Sequence, residues 1–354
     1  MFTQVHTPEN LSGQQLDAYL AQGWFRMGQT IFTTNFAHVK DAMHSTIWLR
    51  ILLFEYQRDS AHTKLIRRTA AFKTTIQPVV IDEEKEILYS RYRESLPFIP
   101  SDSLNQLLFG KVDGSSIFTT YEVTVRDGDK LIACGFFDLG GESAQGIVSF
   151  YDPDYKKYSL GRYLIYSKVQ YCKSLGLKYF YPGYFVPGNP YFDYKLGIAP
   201  AAQEFFALAL DEWVRIHIFS EAYIPINVMQ QKLDNLHGAL RSLEVESHVL
   251  KYEFFDANLI PEMRDSGLLD FPVFLHYGTQ TNDPLNVIIV FDVRDNQYHV
   301  MVCAPVWKPD RTNPDTHFYS AYFLKPVQEV YRTDNVSELA TLLVKISQRN
   351  TVQN

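Results

Sequence analysis

The chain has 354 residues, with 33 Lys and Arg against 40 Asp and Glu and a formal net charge of −7. That length suits two lobes better than one typical domain of about 100–200 residues, and the acidic balance excludes indiscriminate phosphate binding, which needs concentrated Lys and Arg. Three widely spaced cysteines, Cys134, Cys172 and Cys303, form neither a disulfide framework nor a zinc pattern. No run reaches the roughly 18 apolar residues of a membrane span, and the start MFTQVHTPENLSGQQ shows no signal peptide, so a cytoplasmic protein without membrane contact is expected.

In chain order, LSGQQLDAYLAQGW places Ser12 as an N-cap and Leu16, Tyr19 and Leu20 on one helical face, with Gly23 at the end. FRMGQTIFTT then reads as a strand, TIWLRILLFEY (46–56) as a β-like apolar run, and TKLIRRTAAFK (63–73) as a basic segment. In EKEILYSRYRESL (84–96), Ile87, Leu88, Tyr92 and Leu96 recur near helix spacing.

From Ser116 the signals sharpen. SIFTTYEVTV and KLIACGFFDL are two strands joined through Asp127-Gly128, a strong hairpin signal. GIVSFYD is a third, closed by Asp152-Pro153. Ser159 is placed to cap a helix whose Ile165, Val169, Cys172 and Leu175 face one way and which Gly176 ends. LKYFYPGYF is the next strand, so 116–186 reads β–β–β–α–β, a meander followed by a crossover helix. A helix over AAQEFFALALDEWVRIHIF, a mixed stretch 220–265, a hairpin in NVIIVFDVRDNQYHVMVCAPVW turning at Asp295-Asn296, and a last helix in NVSELATLLVKISQ capped by Ser337 complete the expectation.

The most unusual stretch is YDPDYKKYSLGRYLI (151–165), where polar and aromatic residues crowd a strand-to-helix junction. A helix start favours anions through its unpaired N–H groups, and acyl-CoA N-acetyltransferases use a (Q/R)-x-x-G-x-(G/A) loop there. Lys156-Lys157-Tyr158-Ser159-Leu160-Gly161 matches that loop only as K-x-x-S-x-G; a plain capped helix explains it equally.

The longer run YDPDYKKYSLGRYLIYSKVQYCKSLGLKYFYPGYFVPGNPYFDYK resembles the aminoacyl-tRNA–protein transferases, the arginyl- and leucyl-transferases of the N-degron pathway. The YDP strand end, the SLG helix start and Gly183-Tyr184, Pro187-Gly188, Pro190 and Tyr194-Lys195 carry the likeness. Upstream, YLAQGWFRMGQTIF, WLRI and TKLIRRTAAF fall in family order, so the resemblance covers roughly residues 15–215. It departs at TTNFAHVKDAMHSTI (33–47), where the family's cysteine cluster is replaced by a segment with no Cys. His38 and His44 lack thiol or carboxylate support there, so neither metal nor cofactor is expected.

The resemblance implies an α+β fold, an N-acetyltransferase-like (GNAT) mixed sheet with flanking helices in two lobes. Residues 1–110 form an N-terminal lobe, 111–255 the GNAT-like lobe and 256–354 an extension of unassigned role. It implies transfer of an amino acid from aminoacyl-tRNA to the α-amine of acceptor proteins beginning with Asp or Glu. Because the ester is already activated and an α-amine titrates near 7.7–8.0, positioning, oxyanion stabilisation and removal of one proton suffice.

Candidate catalytic residues are Asp138, to take the proton or hold the ammonium, and Tyr151 and Asp152 at the strand end; a hairpin-end carboxylate and a simple turn are the alternatives. Ser159, Leu160, Gly161 and Arg162, with Arg67, Arg68 (beside Lys64 and Lys73) and Lys195, are candidates for the donor, Lys195 contacting either the tRNA backbone or the acceptor's acidic side chain. Arg26 and Arg50, as cations for an acidic acceptor, and Tyr181, Gly183 and Tyr184, at a splayed sheet edge, are candidates for the acceptor. An acyl-CoA-dependent N-acyltransferase, or a non-catalytic homologue that binds N-termini or tRNA, are the competing functions.

Overall fold

The computed structural model describes residues 1–39, 42–96, 101–110, 116–278, 284–308, 315 and 318–353. The chain opens with β1 (Gln4–His6), α1 (Gly13–Ala21), β2 (Phe25–Met27), β3 (Thr30–Thr33), β4 (Phe36–Val39), β5 (Ala42–Ser45) and β6 (Ile47–Leu52). Helix α1 starts in a capping box: the Gln15 N–H donates to Ser12 Oγ, and the Ser12 N–H donates to Gln15 Oε1. The strand expected over 25–34 is a hairpin, β2 against β3, because Gly28 reverses the chain at φ 60°, a conformation that costs glycine little.

Next come α2 (Ser60–Arg68), β7 (Lys73–Pro78), α3 (Glu83–Glu94) and α4 (Leu104–Phe109), then β8 (Thr119–Asp127), β9 (Lys130–Leu139), β10 (Ser143–Tyr151), α5 (Leu160–Ser174) and β11 (Tyr179–Phe185). This is the β–β–β–α–β order read from the sequence. The basic segment around Arg67 and Arg68 is the last turn of α2, where cations complement the helix dipole.

After α6 (Pro190–Asp193) the expectation fails. The segment read as a helix over 201–219 is the hairpin β12 (Gln203–Ala207) and β13 (Glu212–Arg215), turned at Asp211 with φ 54°. All five β12 residues are buried because β6 and β13 flank them. The apolar stretch that begins at Phe205 suits an interior strand as well as a helix face, and sheet pairing decides it. The rest is α7 (Pro225–Ser242), β14 (Ser247–Lys251), β15 (Val273–Tyr277), β16 (Asn286–Asp292), β17 (Gln297–Trp307), β18 (Phe323–Thr333) and α8 (Val336–Gln353). The β16–β17 hairpin turns at the expected place, with Asn296 at φ 58°. Asn335, not Ser337, caps α8: its Oδ1 accepts from the Ser337 and Glu338 N–H groups.

Eight strands form the central mixed sheet, in the order β13-β12-β6-β11-β10-β9-β8-β7. Only β10 and β11 run parallel, which requires the crossover α5. Leu160, Leu164, Val169 and Cys172 of α5 are fully buried against the sheet with Phe137 and Phe180, worth about 1.5–3 kcal/mol per large side chain. The fold is thus α+β, in the N-acetyltransferase-like order of meander, crossover helix and parallel strand.

The lobe boundaries drawn from sequence do not follow the sheets. Strands β6 and β7, from 1–110, lie inside the central sheet, and the 110/111 junction runs into 111–115, outside the described residues. The 255/256 boundary cuts the second sheet, β14-β15-β16-β17-β18, because β14 pairs with β15 and α7 packs its Met229, Leu233 and Leu236 into the same core. No helix among the described residues is long and apolar enough to cross a membrane.

Candidate active site at the opening between two parallel strands

Strands β10 and β11 pair only over Ser143–Gln145 against Tyr179–Tyr181, then diverge. Two irregularities force them apart. On β10 the register against β9 slips between Gly146 and Val148, leaving Ile147 as the extra residue of a bulge. On β11 Pro182 offers no N–H, and the register against β6 breaks between Phe180 and Gly183. Residues 146–149 are consequently half-exposed in the middle of an eight-stranded sheet. A cavity of about 230 Å³ opens on each face of this gap, and Gly146, Ile147, Pro182 and Lys195 line both.

A buried polar network closes the paired end of the gap. Arg26 Nη1 donates to Asp138 Oδ1 at 2.9 Å and to Thr120 Oγ1 at 2.9 Å. Thr120 Oγ1 also donates to Asp138 Oδ1 at 2.6 Å, and Gln145 Nε2 donates to Asp138 Oδ2 at 2.9 Å. Arg26 further donates to the Gly28 and Leu108 carbonyls and lies over the Phe118 ring at 4.3 Å. Burial raises the Asp138 carboxyl above the usual carboxylate range, while Arg26 and the two neutral donors pull it back. Neither member of the pair is free for a substrate, contrary to the proton-accepting and cationic roles expected of them.

Arg50 is engaged as well. Directly opposite Glu204 in the β6–β12 register, it donates from Nε at 2.8 Å and Nη2 at 2.7 Å, and its guanidinium lies 4.6 Å from the Tyr179 and Trp213 ring centroids. Tyr181 is buried beside Phe25 and Trp213, with its hydroxyl pushed up to about 12 by that burial.

Lys195 is different. Its Nζ donates to the Tyr184 carbonyl at 2.7 Å and sits 5.4 and 5.5 Å from the Tyr184 and Phe192 ring centroids, with no carboxylate at ion-pair distance among the described residues. Desolvation lowers it to about 8. Gly183, at φ 87°, makes room for it: a Cβ there would come within 3.3 Å of Nζ.

The junction residues lie away from the gap lining. The Tyr151 ring rests against Tyr92 at 5.3 Å, and a Cβ on Gly161 would meet that ring at 3.4 Å. Asp152 is buried, ion-paired to Arg91 (2.9 Å) and Lys130 (2.8 Å), and accepts from the Asp154 N–H; desolvation opposes its charge, but these partners together hold it below the usual carboxylate range. Ser159 makes no side-chain cap, contrary to expectation. It sits at φ 55°, and its carbonyl receives the Arg162 and Tyr163 N–H groups. Leu160 is wholly in the core, and Arg162 Nη2 lies 3.4 Å from the Gly197 carbonyl.

Arg68 Nη1 donates to the Lys157 carbonyl, so the exposed Lys64, Arg67 and Arg68 of α2 adjoin the exposed Lys156 and Lys157. Sequence reading missed Thr120, Gln145, Pro182 and Lys168. Lys168 gave a signal, being a charge on the core stripe of α5, and Pro182 another, being a proline inside a central strand.

For metals, the β4–β5 register pairs His38 with Met43 and His44 with Ala37, which puts the two imidazoles on opposite faces. Asp292, Asp295 and His299 approach within 4.8 Å in the second sheet. There Arg294 pairs with Asp292, and His299 lies between Asp295 and Glu329 at 2.9 and 3.2 Å, so each of the three groups already has a protein partner.

Residues 84–204 match the family described as arginine-tRNA-protein transferase, C terminus. The chain is 30% identical over 220 residues to the aspartate/glutamate leucyltransferase of Leptospira interrogans, covering 61% of this chain and 84% of that protein. It is 28% identical over 197 residues to the enzyme of the same name from Campylobacter jejuni, covering 54% and 80%. Among solved structures, FemX overlaps 58% of this chain and 69% of its own at a TM-score of 0.35 and 10% identity. A tandem GNAT protein from the clavulanic acid biosynthesis pathway overlaps 56% and 58% at 0.33 and 8%. From the extent of the match to the curated relatives, the chain belongs to the aminoacyl-tRNA–protein transferase family, aminoacyltransferases whose donors are charged tRNAs.

Proposed function

We propose that the chain moves leucine from the 3′ ester of a charged tRNA onto the α-amine of proteins that begin with Asp or Glu. The observation that carries this reading is the gap between β10 and β11 with Lys195 beside it, a cation with no carboxylate partner among the described residues.

An extended acceptor N-terminus entering the gap meets strand edges that lack a neighbour, the ordinary basis of peptide capture by strand addition. Lys195 then faces the first side chain, where a carboxylate restores the ion pair the site lacks. Pro182, Gly183 and Tyr184 shape that side; Asp138 and Arg26 act as positioning residues that fix the closed end.

The donor side chain is assigned to the cavity on the α5 face, among Tyr92, Leu96, Leu107, Ile147, Ile165 and Phe180, with no carboxylate among the described residues of its lining. Burying a guanidinium there without an anion would cost several kcal/mol, whereas an aliphatic side chain fits, in keeping with the names of the relatives. The exposed Lys64, Arg67, Arg68, Lys156 and Lys157 supply phosphate contacts that position the tRNA. Dependence on charged tRNA argues for the cytoplasm, and marking acidic N-termini for an N-degron role.

The test is transfer of label from a pool of aminoacyl-tRNAs to peptides beginning Asp, Glu, Arg, Lys or Ala. Label from leucyl-tRNA on Asp and Glu peptides is expected. Label only from arginyl-tRNA would overturn the donor assignment, label on Arg or Lys peptides the acceptor assignment, and no label at all the reading as a whole.

A further inference from the structure

Lys168 sits on the buried stripe of α5 with three neutral partners: its Nζ lies 2.9 Å from the Phe136 carbonyl, 2.9 Å from the Val148 carbonyl and 3.0 Å from Ser149 Oγ. No carboxylate approaches it at ion-pair distance among the described residues. Ser149 and Lys168 both line the cavity on the α5 face of the gap, and Ser149 is half-exposed there. Gly135, opposite Ser149 in the β9–β10 register, leaves space for this contact: a Cβ at 135 would lie 2.9 Å from both Nζ and Oγ.

We propose that Ser149 and Lys168 form a proton relay for aminoacyl transfer in this gap, an inference that rests on the function proposed above. A neutral lysine amine has two N–H donors and one lone pair. The two carbonyls take the donors, and the lone pair is left for the Ser149 hydroxyl, which then donates to Nζ and gains basic character at Oγ.

As the acceptor amine attacks the ester carbonyl, a new C–N bond forms, and one amine proton passes to Ser149 Oγ while the Ser149 proton passes to Lys168 Nζ. Collapse breaks the bond to the tRNA 3′ oxygen, which takes a proton back through Ser149 as Lys168 returns its own. The amide and a free 3′ hydroxyl result, and both side chains end as they began. Ser149 is the catalytic residue of this pair and Lys168 a positioning and proton-holding one.

Desolvation lowers Lys168 to about 7, so the neutral form is well populated at neutral pH. The titratable groups around it are Cys134 and Asp138 on β9, Cys172 on α5, and Tyr89, Tyr92, Tyr194 and Lys195 across the cavity. Asp138 is held by Arg26, burial raises both cysteines, and Lys195, lowered to about 8, loses its charge on the alkaline side, so Lys168 is the group here whose proton falls on the acidic limb.

The experiment compares wild type, Ser149→Ala and Lys168→Met in transfer from leucyl-tRNA to an Asp peptide across pH 5.5–9, each checked for folding by circular dichroism. Ser149→Ala keeps both lysine-to-carbonyl bonds, so it stays informative even if Lys168→Met does not fold. A fall in kcat of about 100-fold with KM unchanged is expected for Ser149→Ala. The acidic limb of the wild-type rate should carry two protons, one from the acceptor amine and one from Lys168, and only one in either variant. Transfer by the wild type with Ser149→Ala unchanged in kcat and in limb steepness would overturn the relay alone. No transfer by the wild type from any aminoacyl-tRNA would overturn both the relay and the function it rests on.

Discussion

Arg26 and Asp138 meet at 2.9 Å with almost no exposure of either side chain, and 112 residues separate them in the chain. Taking one member away from such a pair leaves an uncompensated buried charge. Asp138→Ala is therefore expected to destabilise the fold by about 3–5 kcal/mol, measured by urea unfolding. The double variant Arg26→Met with Asp138→Leu should cost clearly less than the two single changes added together. Additive losses would mean that the pair is not coupled and does not brace the closed end of the gap.

Lys195 carries the acceptor prediction. Among the described residues its Nζ keeps one hydrogen bond, to the Tyr184 carbonyl, and meets no carboxylate at ion-pair distance. Lys195→Met should lower kcat/KM for an Asp peptide by about 10–100-fold, the value of one charge-assisted hydrogen bond, and leave an Ala peptide nearly unaffected. The pH dependence has a definite sign. Lysine attracts a carboxylate only when protonated, and burial holds Lys195 near 8, so KM for Asp peptides should rise as pH passes about 8. An equal loss for Asp and Ala peptides would remove Lys195 from acceptor recognition.

The helix-start residues give a prediction of opposite sign to the sequence expectation. Ser159 holds a left-handed φ of 55° and makes no cap with its side chain. Relief of that conformation should make Ser159→Gly more stable by about 1 kcal/mol, read from the thermal midpoint. A loss of stability would show that the hydroxyl does cap α5.

Much of this arrangement was written in local sequence. The meander 116–186 was legible because Asp127-Gly128 fixes a hairpin and runs rich in β-branched, aromatic and other apolar residues mark the strands on either side of it. The β12–β13 hairpin was not, because FFALAL is apolar without a diagnostic period and only pairing to β6 chooses strand over helix. Arg26 and Arg50 could be singled out by position, but their fate depends on Asp138 and Glu204, partners 112 and 154 residues away. The gap itself follows from Pro182 and the Ile147 bulge acting at the same level on neighbouring strands, a coincidence that local reading cannot supply. Lys168 was visible as a charge among Leu164, Ile165, Val169 and Cys172, yet its meaning came only with Ser149 and Gly135 beside it.

The donor side makes the last prediction. Exposed Lys64, Arg67 and Arg68 on α2 adjoin Lys156 and Lys157 through the bond from Arg68 to the Lys157 carbonyl. Against an overall charge of −7, this local concentration of cations attracts tRNA phosphates. Each phosphate contact releases counterions, so its loss shows in the salt dependence of binding as well as in affinity. Arg67→Glu with Arg68→Glu should raise KM for charged tRNA at least about tenfold and reduce the slope of log affinity against log salt by about two. Losing two last-turn cations and the Arg68 bond should cost only about 1–2 kcal/mol of stability, because both side chains are exposed, and kcat at saturating tRNA should stay close to wild type. If the slope is unchanged while KM rises, α2 acts on the donor indirectly, and the tRNA lies along another face of the sheet.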